Sequence, residues 1–250
     1  MIKLSSSSMS TYEKCPRKYF YQYIEKPKIE LPEWSHLETG TVTHRALELF
    51  HEFLMKNTLP MEKWHEVMRD SFKTAIKESN ERGKLELIKD NLADIKDSLQ
   101  NYLAMIKKEG LPPVIHNELD FNFKIQDFTV RGFMDRIDKY DNGVYHVVDY
   151  KTNKNPDYLN SFQLALYALA LYEIYDDIKE ISGSYVLMKH NSKLKTWEFN
   201  DKILEDVRQK VIKIGTDINT ETLWAKKPTI LCGWCDFRSI CQDSWTEETW

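Results

Sequence analysis

The fold of this chain is decided by the stretch Gly132–Lys151, which reads GFMDRIDKYDNGVYHVVDYK. Its middle, the Asp-Asn-Gly of residues 141–143, is a turn sequence, because asparagine and glycine tolerate the positive φ angles of tight turns. The residues on both sides are rich in the β-branched and aromatic side chains that strands favour. We therefore predict a β-hairpin whose open end carries Asp135, Asp149 and Lys151.

The register of this hairpin decides which side chains meet. If all three turn residues form the loop, residues 140 and 144 pair, and Asp135 then lies directly opposite Asp149. Such opposed residues carry β-carbons about 4.5 to 5.5 Å apart on one face, which Lys151 shares because side chains alternate along a strand. Opposed carboxylates repel each other unless a cation lies between them, so this register predicts a divalent metal site. A two-residue loop would place Asp149 opposite Arg136 and separate the aspartates.

An isolated Asp-x-Lys is more often a pair of ordinary polar residues on a solvent-facing strand. Two features favour a functional site here. Two valines precede Asp149, as in a buried strand with a polar end, and Glu118 in an adjacent strand-like segment offers a third carboxylate. The same register predicts that Asp138 lies opposite His146 on the other face, in a position to pair without a catalytic role.

The spacing of apolar residues predicts a mixed α/β fold around the hairpin. Apolar residues recur every three or four positions from about residue 34 to 108, which predicts a helical insertion. Helical spacing returns in two later segments, at 161–175 and 203–223. Short strand patterns occur in three regions, at 114–149, 184–187 and 196–199. The expected fold is a central mixed sheet flanked by helices.

The composition fits one domain over residues 1–250. Of the 250 residues, 42% are hydrophobic and 12% aromatic, which is enough for a buried core. The N-terminus carries no apolar signal segment, and no stretch approaches the roughly 18 apolar residues of a membrane span, so we expect a cytoplasmic protein without a membrane partner. The net charge of −4 excludes a strongly basic coat protein of nucleic acid but permits a local basic channel.

The four cysteines suggest a metal or cluster site. Cys15 stands alone near the N-terminus, whereas Cys232, Cys235 and Cys241 form a C-x2-C-x5-C run. In a reducing cytosol such thiols are more often ligands or buried side chains than disulfides. Four thiolates fit an iron–sulfur cluster or tetrahedral zinc, and the spacing does not separate the two. Either group would form a structural clasp between the ends of the domain.

Six short motifs, in this order, resemble those of the RecB-type nucleases in the PD-(D/E)XK superfamily. They are Cys15-Pro-Arg-Lys-Tyr-Phe, the Gly-x-x-x-His of residues 40–44, the Gly-x-x-Asp-Arg-Ile-Asp of 132–138, the Asp-x-Lys of 149–151, the Gln-x-x-x-Tyr of 163–167 and the cysteines of 232–241. The resemblance implies a restriction-endonuclease-like fold. The cysteines match the subset that carries a [4Fe-4S] cluster, which includes CRISPR-associated spacer-processing exonucleases and the AddB nuclease domain.

The resemblance also implies a divalent metal, Mg²⁺ or Mn²⁺. Its ligands would be His44, Asp135 and Asp149, with Glu118 as a further ligand or as the holder of a metal-bound water. The imidazole favours Mn²⁺, because Mg²⁺ prefers all-oxygen ligands. Lys151 would orient the nucleophile or stabilise the transition state. Taken alone, His44 would be interpreted as a capping or core residue of an amphipathic helix.

Five further residues receive roles from the resemblance. Gln163 and Tyr167 lie four apart on one helix face. Gln163 would support the metal-site loop and Tyr167 would contact the DNA backbone, although their pattern alone is typical of a core helix. Arg17 and Lys18, beside a cysteine ligand, would contact phosphates, and Lys154 is a weaker candidate for the same contact.

The function that the resemblance implies is metal-dependent hydrolysis of DNA, by an exonuclease acting on single-stranded DNA or on DNA ends. The setting would be recombination, repair or CRISPR adaptation, with a helicase, a recombinase or a CRISPR integrase as partner. The chain has no G-x-x-x-x-G-K-[ST] loop, so any motor would belong to that partner. The alternative is a non-catalytic adaptor subunit that holds DNA ends. The joint presence of His44, Asp135, Asp149 and Lys151 argues against it.

Overall fold

A computed structural model describes residues 2–153 and 155–241. The chain divides into two compact units. Unit 1 comprises Met1–Glu33, Asn122–Gly132 and Asp206–Trp250, and unit 2 comprises Trp34–Phe121 and Phe133–Glu205. None of the helices that the structure describes combines the length and the apolar character that crossing a bilayer requires.

The N-terminal part of unit 1 includes a two-residue strand and two short α-helices. These are β1 (Lys3–Leu4), α1 (Ser6–Lys14) and α2 (Pro16–Tyr19). Ser5 and Ser8 cap α1 reciprocally, since the backbone N–H of Ser8 donates to the Ser5 hydroxyl at 3.1 Å and the N–H of Ser5 donates to the Ser8 hydroxyl at 2.8 Å. Pro16 occupies the first position of α2 and leaves Cys15 extended between the two helices, with φ of −160°.

A block of helices forms the first half of unit 2. It consists of α3 (Ser35–Lys56), α4 (Trp64–Glu81), α5 (Leu85–Ile88) and α6 (Leu92–Glu109). The prediction of helices from about residue 34 to 108 is therefore confirmed. Their apolar faces, with Phe50 and Leu99 almost fully buried, form one hydrophobic cluster with strand residues such as Val148 and Val186.

The strands belong to a sheet of mixed direction. They are β2 (Val114–Ile125), β3 (Phe128–Tyr140), β4 (Val144–Lys151), β5 (Glu180–Leu187) and β6 (Lys193–Phe199). In unit 2, β3, β4, β5 and β6 are neighbours in that order, and their pairings are antiparallel, parallel and antiparallel. In unit 1, β1 pairs in parallel with the first residues of β3. The predicted mixed sheet is confirmed.

Two helices follow β4 in the chain, namely α7 (Phe162–Tyr172) and α8 (Asp201–Thr220). Helix α7 is buried on every side from Leu164 to Leu171, as expected for a helix that is apolar all round. It approaches the sheet closely at Gly183, where an added β-carbon would lie 2.8 Å from Val147 Cγ2 and 3.1 Å from Leu164 Cβ. This close packing fixes the position of α7 on the face that carries the candidate site.

The hairpin register is the one predicted from a three-residue loop. Residues pair from Arg136↔Val148 to Tyr140↔Val144, and the turn residues Asn142 and Gly143 have positive φ of 62° and 78°. Continuing this register by one residue places Asp135 opposite Asp149. Asp138 and His146 are paired positions, as predicted. Their side chains take other partners, because Asp138 binds Arg136 and His146 Nδ1 lies 2.7 Å from the Ser182 hydroxyl.

Replacing the turn glycine should destabilise unit 2. At Gly143 an added β-carbon would lie 2.3 Å from the carbonyl oxygen of Asp177, whereas at Gly83, which also has a positive φ, it would meet nothing within 4 Å. Gly83→Ala should therefore lose about 1 kcal/mol from backbone strain alone, and Gly143→Ala at least about 1 kcal/mol more from the clash. Urea unfolding measures both. Equal losses would contradict the predicted turn geometry.

A partly buried histidine, His146, should make the protein sensitive to acid. Burial, reinforced by the positive charge of Arg136, lowers the pKa of His146 to about 4. The pKa of His146 in the unfolded chain is about 6.5. Below that pH the imidazole is protonated in the unfolded chain but stays neutral in the folded protein, so stability falls as pH drops from 6.5 towards 4. Between pH 7.5 and 5.0, His146→Asn should lose less stability than the wild type, by an order of 1–2 kcal/mol. Parallel pH curves would contradict this.

Candidate active site

Three side chains from separate elements of unit 2 gather at the open end of the hairpin. His44 comes from α3, Glu118 from β2 and Asp135 from β3, and one ligand atom from each lies within 4.8 Å of the others. His44 Nδ1 is 3.3 Å from Asp135 Oδ2. Among residues 2–153 and 155–241 this is the one such group of His, Cys, Asp and Glu. One imidazole and two carboxylates form a donor set that suits a divalent cation.

Glu118 reaches this group through an unusual backbone conformation. Its φ is +51° in the middle of β2. This left-handed conformation is strained for a residue with a side chain, and such strain concentrates at functional sites. A regular strand would alternate its side chains strictly between the two faces, so the positive φ locally changes the direction in which Glu118 projects. The sequence predicted Glu118 as a third carboxylate but gave no sign of this conformation.

Asp135 is held by its neighbours on both sides. The backbone N–H of Tyr150 donates to Asp135 Oδ2 at 2.7 Å. The same oxygen faces His44 Nδ1. Asp135 is 9% exposed, so its carboxylate is nearly removed from solvent and its orientation is fixed by these two contacts. The structure thus brings Asp135 together with His44 and Glu118, whereas Asp149, which was also predicted as a ligand, is not part of this group.

Asp149, Lys151, Gln163 and Tyr167 form a chain of contacts beside the first group. Lys151 Nζ lies 2.6 Å from Asp149 Oδ2 and donates to Gln163 Oε1 at 2.9 Å. Gln163 Nε2 donates to the Tyr167 hydroxyl at 2.5 Å, and this hydroxyl donates to Asp149 Oδ1 at 3.5 Å. Lys151 Nζ also lies 5.0 Å from the centre of the Tyr185 ring. The lysine is thus fixed by a carboxylate, an amide and an aromatic face.

The closely spaced carboxylates change the pKa values of the titratable groups in the site. Burial, followed by repulsion from Asp135, raises the pKa of Glu118 to about 7 and raises the pKa of Asp149 above its usual range. For His44, burial acts to lower the pKa, but contact with the Asp135 carboxylate outweighs it and the pKa is raised to about 9. The site therefore concentrates negative charge that favours a bound proton or cation. A divalent cation between these carboxylates would relieve the repulsion.

A cleft of about 480 Å³ opens beside this group, and its lining includes Arg45 and Glu48, which were not predicted from the sequence. Glu48 lies one helical turn after His44, so the period of α3 places both on one face. Arg45 donates to Glu78 at 2.8 and 3.0 Å, and its Nη1 lies 2.8 Å from Glu48. The helical period at His44 is the signal that could have indicated Glu48.

The structure buries Tyr167 in unit 2 and leaves Gln163 partly exposed. Tyr167 is 5% exposed, and its hydroxyl is occupied by Gln163 and Asp149. Its observed role is to support Asp149, and a contact between Tyr167 and DNA stays a prediction. Gln163 contacts Lys151 directly, a partner that the sequence did not indicate.

The four cysteines belong to unit 1, where they line one cavity. None of them forms a disulfide. Burial raises the pKa of Cys241, and the other three thiols raise it further. The same cavity is lined by several cationic side chains, namely Arg17, Lys18, Lys226, Lys227 and Arg238. Among the described residues the sulfur atoms do not form a group as tight as that of His44, Glu118 and Asp135.

The three residues predicted to contact DNA phosphates differ in their surroundings. Lys18 pairs with Asp236 at 3.2 Å. Arg17 lies with its guanidinium carbon 5.9 Å from the rings of Phe20 and of Tyr21, and its buried Nε has no hydrogen-bond partner among the described residues. Lys154 lies outside the described residues. Their contact with DNA stays a prediction.

These features coincide with a known family. The chain matches the model of the PD-(D/E)XK nuclease superfamily over residues 3–242, and it belongs to that superfamily. Its mixed sheet flanked by helices is the corresponding nuclease fold. The matched range includes both the carboxylate group of unit 2 and most of unit 1.

Several curated sequences are similar to this chain. The Gene 69 protein of Mycobacterium phage L5 is 25% identical over 280 residues, covering 95% of this chain and 95% of the phage protein. An ATP-dependent helicase/deoxyribonuclease subunit of Streptococcus agalactiae serotype Ia is 28% identical over 164 residues, which cover 61% of this chain and 14% of that subunit. The corresponding subunit of Streptococcus pyogenes serotype M3 is 26% identical over 77% of this chain and 19% of the subunit. The chain thus spans less than a fifth of these two streptococcal proteins.

A solved structure has the same fold. It is the crystal structure of a candidate exonuclease from Eubacterium rectale, with a TM-score of 0.50 and 14% sequence identity, and the superposition covers 98% of this chain and 91% of the other. At this identity the similarity supports the fold alone.

Proposed function

We propose that this protein is a divalent-metal-dependent deoxyribonuclease that acts as an exonuclease on single-stranded DNA or on DNA ends. The observation that carries the proposal is the group formed by His44, Glu118 and Asp135, next to the pair Asp149 and Lys151. Two oxygen donors and one nitrogen donor suit Mn²⁺ or Mg²⁺, with the imidazole favouring Mn²⁺. The raised pKa values of Glu118 and Asp149 support a site that accepts a cation.

Some residues of the site would bind the metal, and Lys151 would act on the charge of the reacting groups. His44, Glu118, Asp135 and Asp149 would hold the metal, and a divalent cation would supply Lewis-acid activation of water and neutralisation of phosphate charge. Lys151 carries a positive charge at a fixed position beside them, where it orients the attacking water or stabilises the charge that develops on the phosphate. Gln163 holds Lys151, and Tyr167 holds Asp149.

The cysteine cavity is proposed to hold a [4Fe-4S] cluster. All four cysteines of the chain line the cavity. The buried Nε of Arg17 adjoins it and has no hydrogen-bond partner among the described residues, as expected where a group with acceptor sulfurs is bound. Tetrahedral zinc would fit four thiolates equally well. The cluster is proposed because the cysteine motifs resemble those of the subset that carries one. The cluster would be structural, because the cysteines fill every protein-ligand position.

The setting of the enzyme is also a proposal. The streptococcal relatives are subunits named helicase/deoxyribonuclease, which favours action beside a helicase. A recombinase or a CRISPR integrase is an alternative partner, in recombination, repair or CRISPR adaptation. Four cysteines that form no disulfide suit a reducing cytoplasm. The family match across residues 3–242 supports the assignment of the two units to one nuclease domain.

Linear and circular DNA of the same sequence test this function. With Mn²⁺ or Mg²⁺, the purified protein should degrade end-labelled linear single strands, release short labelled products and leave closed circular single strands intact. Chelation of the metal should stop the reaction. Cutting of circles at the same rate would refute exonuclease action. Binding to ends without cleavage under any of these conditions would favour the adaptor alternative.

A further inference from the structure

A buried polar network lies on the face of the hairpin opposite the candidate metal ligands. Arg136 is 6% exposed and Asp138 1% exposed. Arg136 Nε and Nη2 donate to the two carboxylate oxygens of Asp138, both at 2.9 Å. Arg136 Nη1 donates to the hydroxyl of Tyr102 at 2.5 Å and to that of Tyr150 at 3.0 Å. His51 Nε2 completes the network at 2.5 Å from the Tyr102 hydroxyl.

The members of this network alternate with the candidate site residues along both strands. On β3, Arg136 follows Asp135 directly. On β4, Tyr150 stands between Asp149 and Lys151. Because successive side chains of a strand point to opposite faces, the same short segments carry the network on one face and the site on the other.

Tyr150 joins the two faces. Its hydroxyl is bound by Arg136 and its ring lies 6.0 Å from the ring of His44, while its backbone N–H donates to Asp135 Oδ2 at 2.7 Å. The regular pairing of β3 with β4 ends at Arg136↔Val148. Beyond that pair, the bond from Arg136 to the Tyr150 hydroxyl and the bond from the Tyr150 N–H to Asp135 connect the two strand ends.

We propose that Arg136, anchored by Asp138 and bonded to Tyr150, is a positioning residue that sets the geometry of the metal-binding carboxylates Asp135 and Asp149. This inference rests on the proposed nuclease function. It gives Arg136, Asp138 and Tyr150 a role in the site, although their side chains lie on the face of the strands opposite the candidate metal ligands.

Stability alone is a weak explanation for this network. Removing two charges from water is costly, and apolar side chains of similar volume often replace a buried ion pair with little loss. Residues that orient metal ligands behave differently, because their loss typically weakens metal affinity about 10- to 100-fold. The network therefore contributes separately to folding stability and to the position of the metal ligands. In a protein that still folds, only the loss of ligand positioning changes metal binding.

Direct Mn²⁺ binding separates the two contributions. Tyr150→Phe removes only the hydroxyl that Arg136 binds and keeps the ring and the backbone N–H. The double variant Arg136→Met with Asp138→Leu replaces the ion pair by apolar side chains. We expect Mn²⁺ affinity, measured by calorimetry, to fall about 10-fold or more in the double variant and by a smaller factor in Tyr150→Phe. The electron paramagnetic resonance spectrum of bound Mn²⁺ should change in both variants.

Tyr145→Phe is the matched control. It lies on the same strand, and its hydroxyl donates to Asp177 at 2.6 Å. It should lower thermal stability without changing Mn²⁺ affinity or the Mn²⁺ spectrum. Wild-type affinity and spectrum in Tyr150→Phe and in a folded double variant would overturn the inference. If the double variant does not fold, the Mn²⁺ affinity and spectrum of Tyr150→Phe alone test the inference.

Asp135→Asn distinguishes this failure from failure of the proposed function. If the wild type binds Mn²⁺ and Asp135→Asn does not, the assignment of the metal site to Asp135 is supported. The Arg136 and Tyr150 variants then test the positioning role alone. If the wild type and Asp135→Asn bind Mn²⁺ equally, the metal site is not at Asp135, and both proposals are refuted.

Discussion

Replacing Lys151 by alanine is expected to lower the rate of DNA cleavage about 100- to 1,000-fold, with little change in DNA affinity or in thermal stability. The ammonium group is held beside Asp149 and Gln163, where the proposed function places a positive charge next to the reacting phosphate. Loss of one such preorganised contact acts mainly on the transition state, so the chemical step slows while substrate binding persists. Single-turnover cleavage with saturating protein, together with DNA binding in the presence of Ca²⁺, measures the two effects separately.

Lys195→Ala is the matched control for this prediction. Lys195 Nζ donates to the Leu159 carbonyl at 2.8 Å and lies 5.2 Å from the centre of the Trp197 ring. Its contacts resemble those of Lys151, but no carboxylate among the described residues pairs with it. It should keep wild-type cleavage. Unchanged cleavage by Lys151→Ala would place the chemistry elsewhere in the chain.

Replacing Cys15 by serine is expected to remove most of the bound iron and to lower the stability of unit 1. Cys15 is the one cysteine of the cavity from the N-terminal part of the chain, so its loss breaks the connection to Cys232, Cys235 and Cys241. Protein purified without oxygen should be brown, with broad visible absorption and about four iron atoms per chain, because the cluster contains four irons. The variant should lose the colour and unfold at a lower temperature.

The two predicted sites provide controls for each other. Lys151→Ala, in unit 2, should keep the colour and the iron content of the wild type. A colourless wild-type protein with one zinc per chain would refute the cluster and leave a zinc clasp in its place. An iron content that survives Cys15→Ser would show that this thiol is not a ligand.

The register of the hairpin could be predicted because it depends on local chemistry. A turn that requires positive φ selects asparagine and glycine, and once the loop length is fixed, every cross-strand pair follows. The helical segment of residues 35–109 was likewise predictable from apolar spacing. These parts of the fold are determined by short stretches of sequence.

Other parts of the site could not be predicted, because they depend on contacts between distant segments. Nothing in the sequence around Glu118 indicates a positive φ, since the tertiary contacts of β2 override the local preference of a glutamate. The pairing of Lys18 with Asp236 and the burial of Tyr167 also depend on segments far apart in the chain. The sequence indicated no functional role for Arg136, because its network with Tyr102 depends on the packed helices of unit 2.

The most direct test of the central claim is cleavage of end-labelled single-stranded DNA by Asp135→Asn in the presence of Mn²⁺. The amide keeps the size of the carboxylate but removes its charge, so folding and DNA binding should remain while a proposed metal ligand is lost. We predict that the wild type cleaves this DNA, that chelation stops it, and that Asp135→Asn cleaves at least about 100-fold more slowly. Cleavage by Asp135→Asn at the wild-type rate would contradict the assignment of the metal site to His44, Glu118 and Asp135.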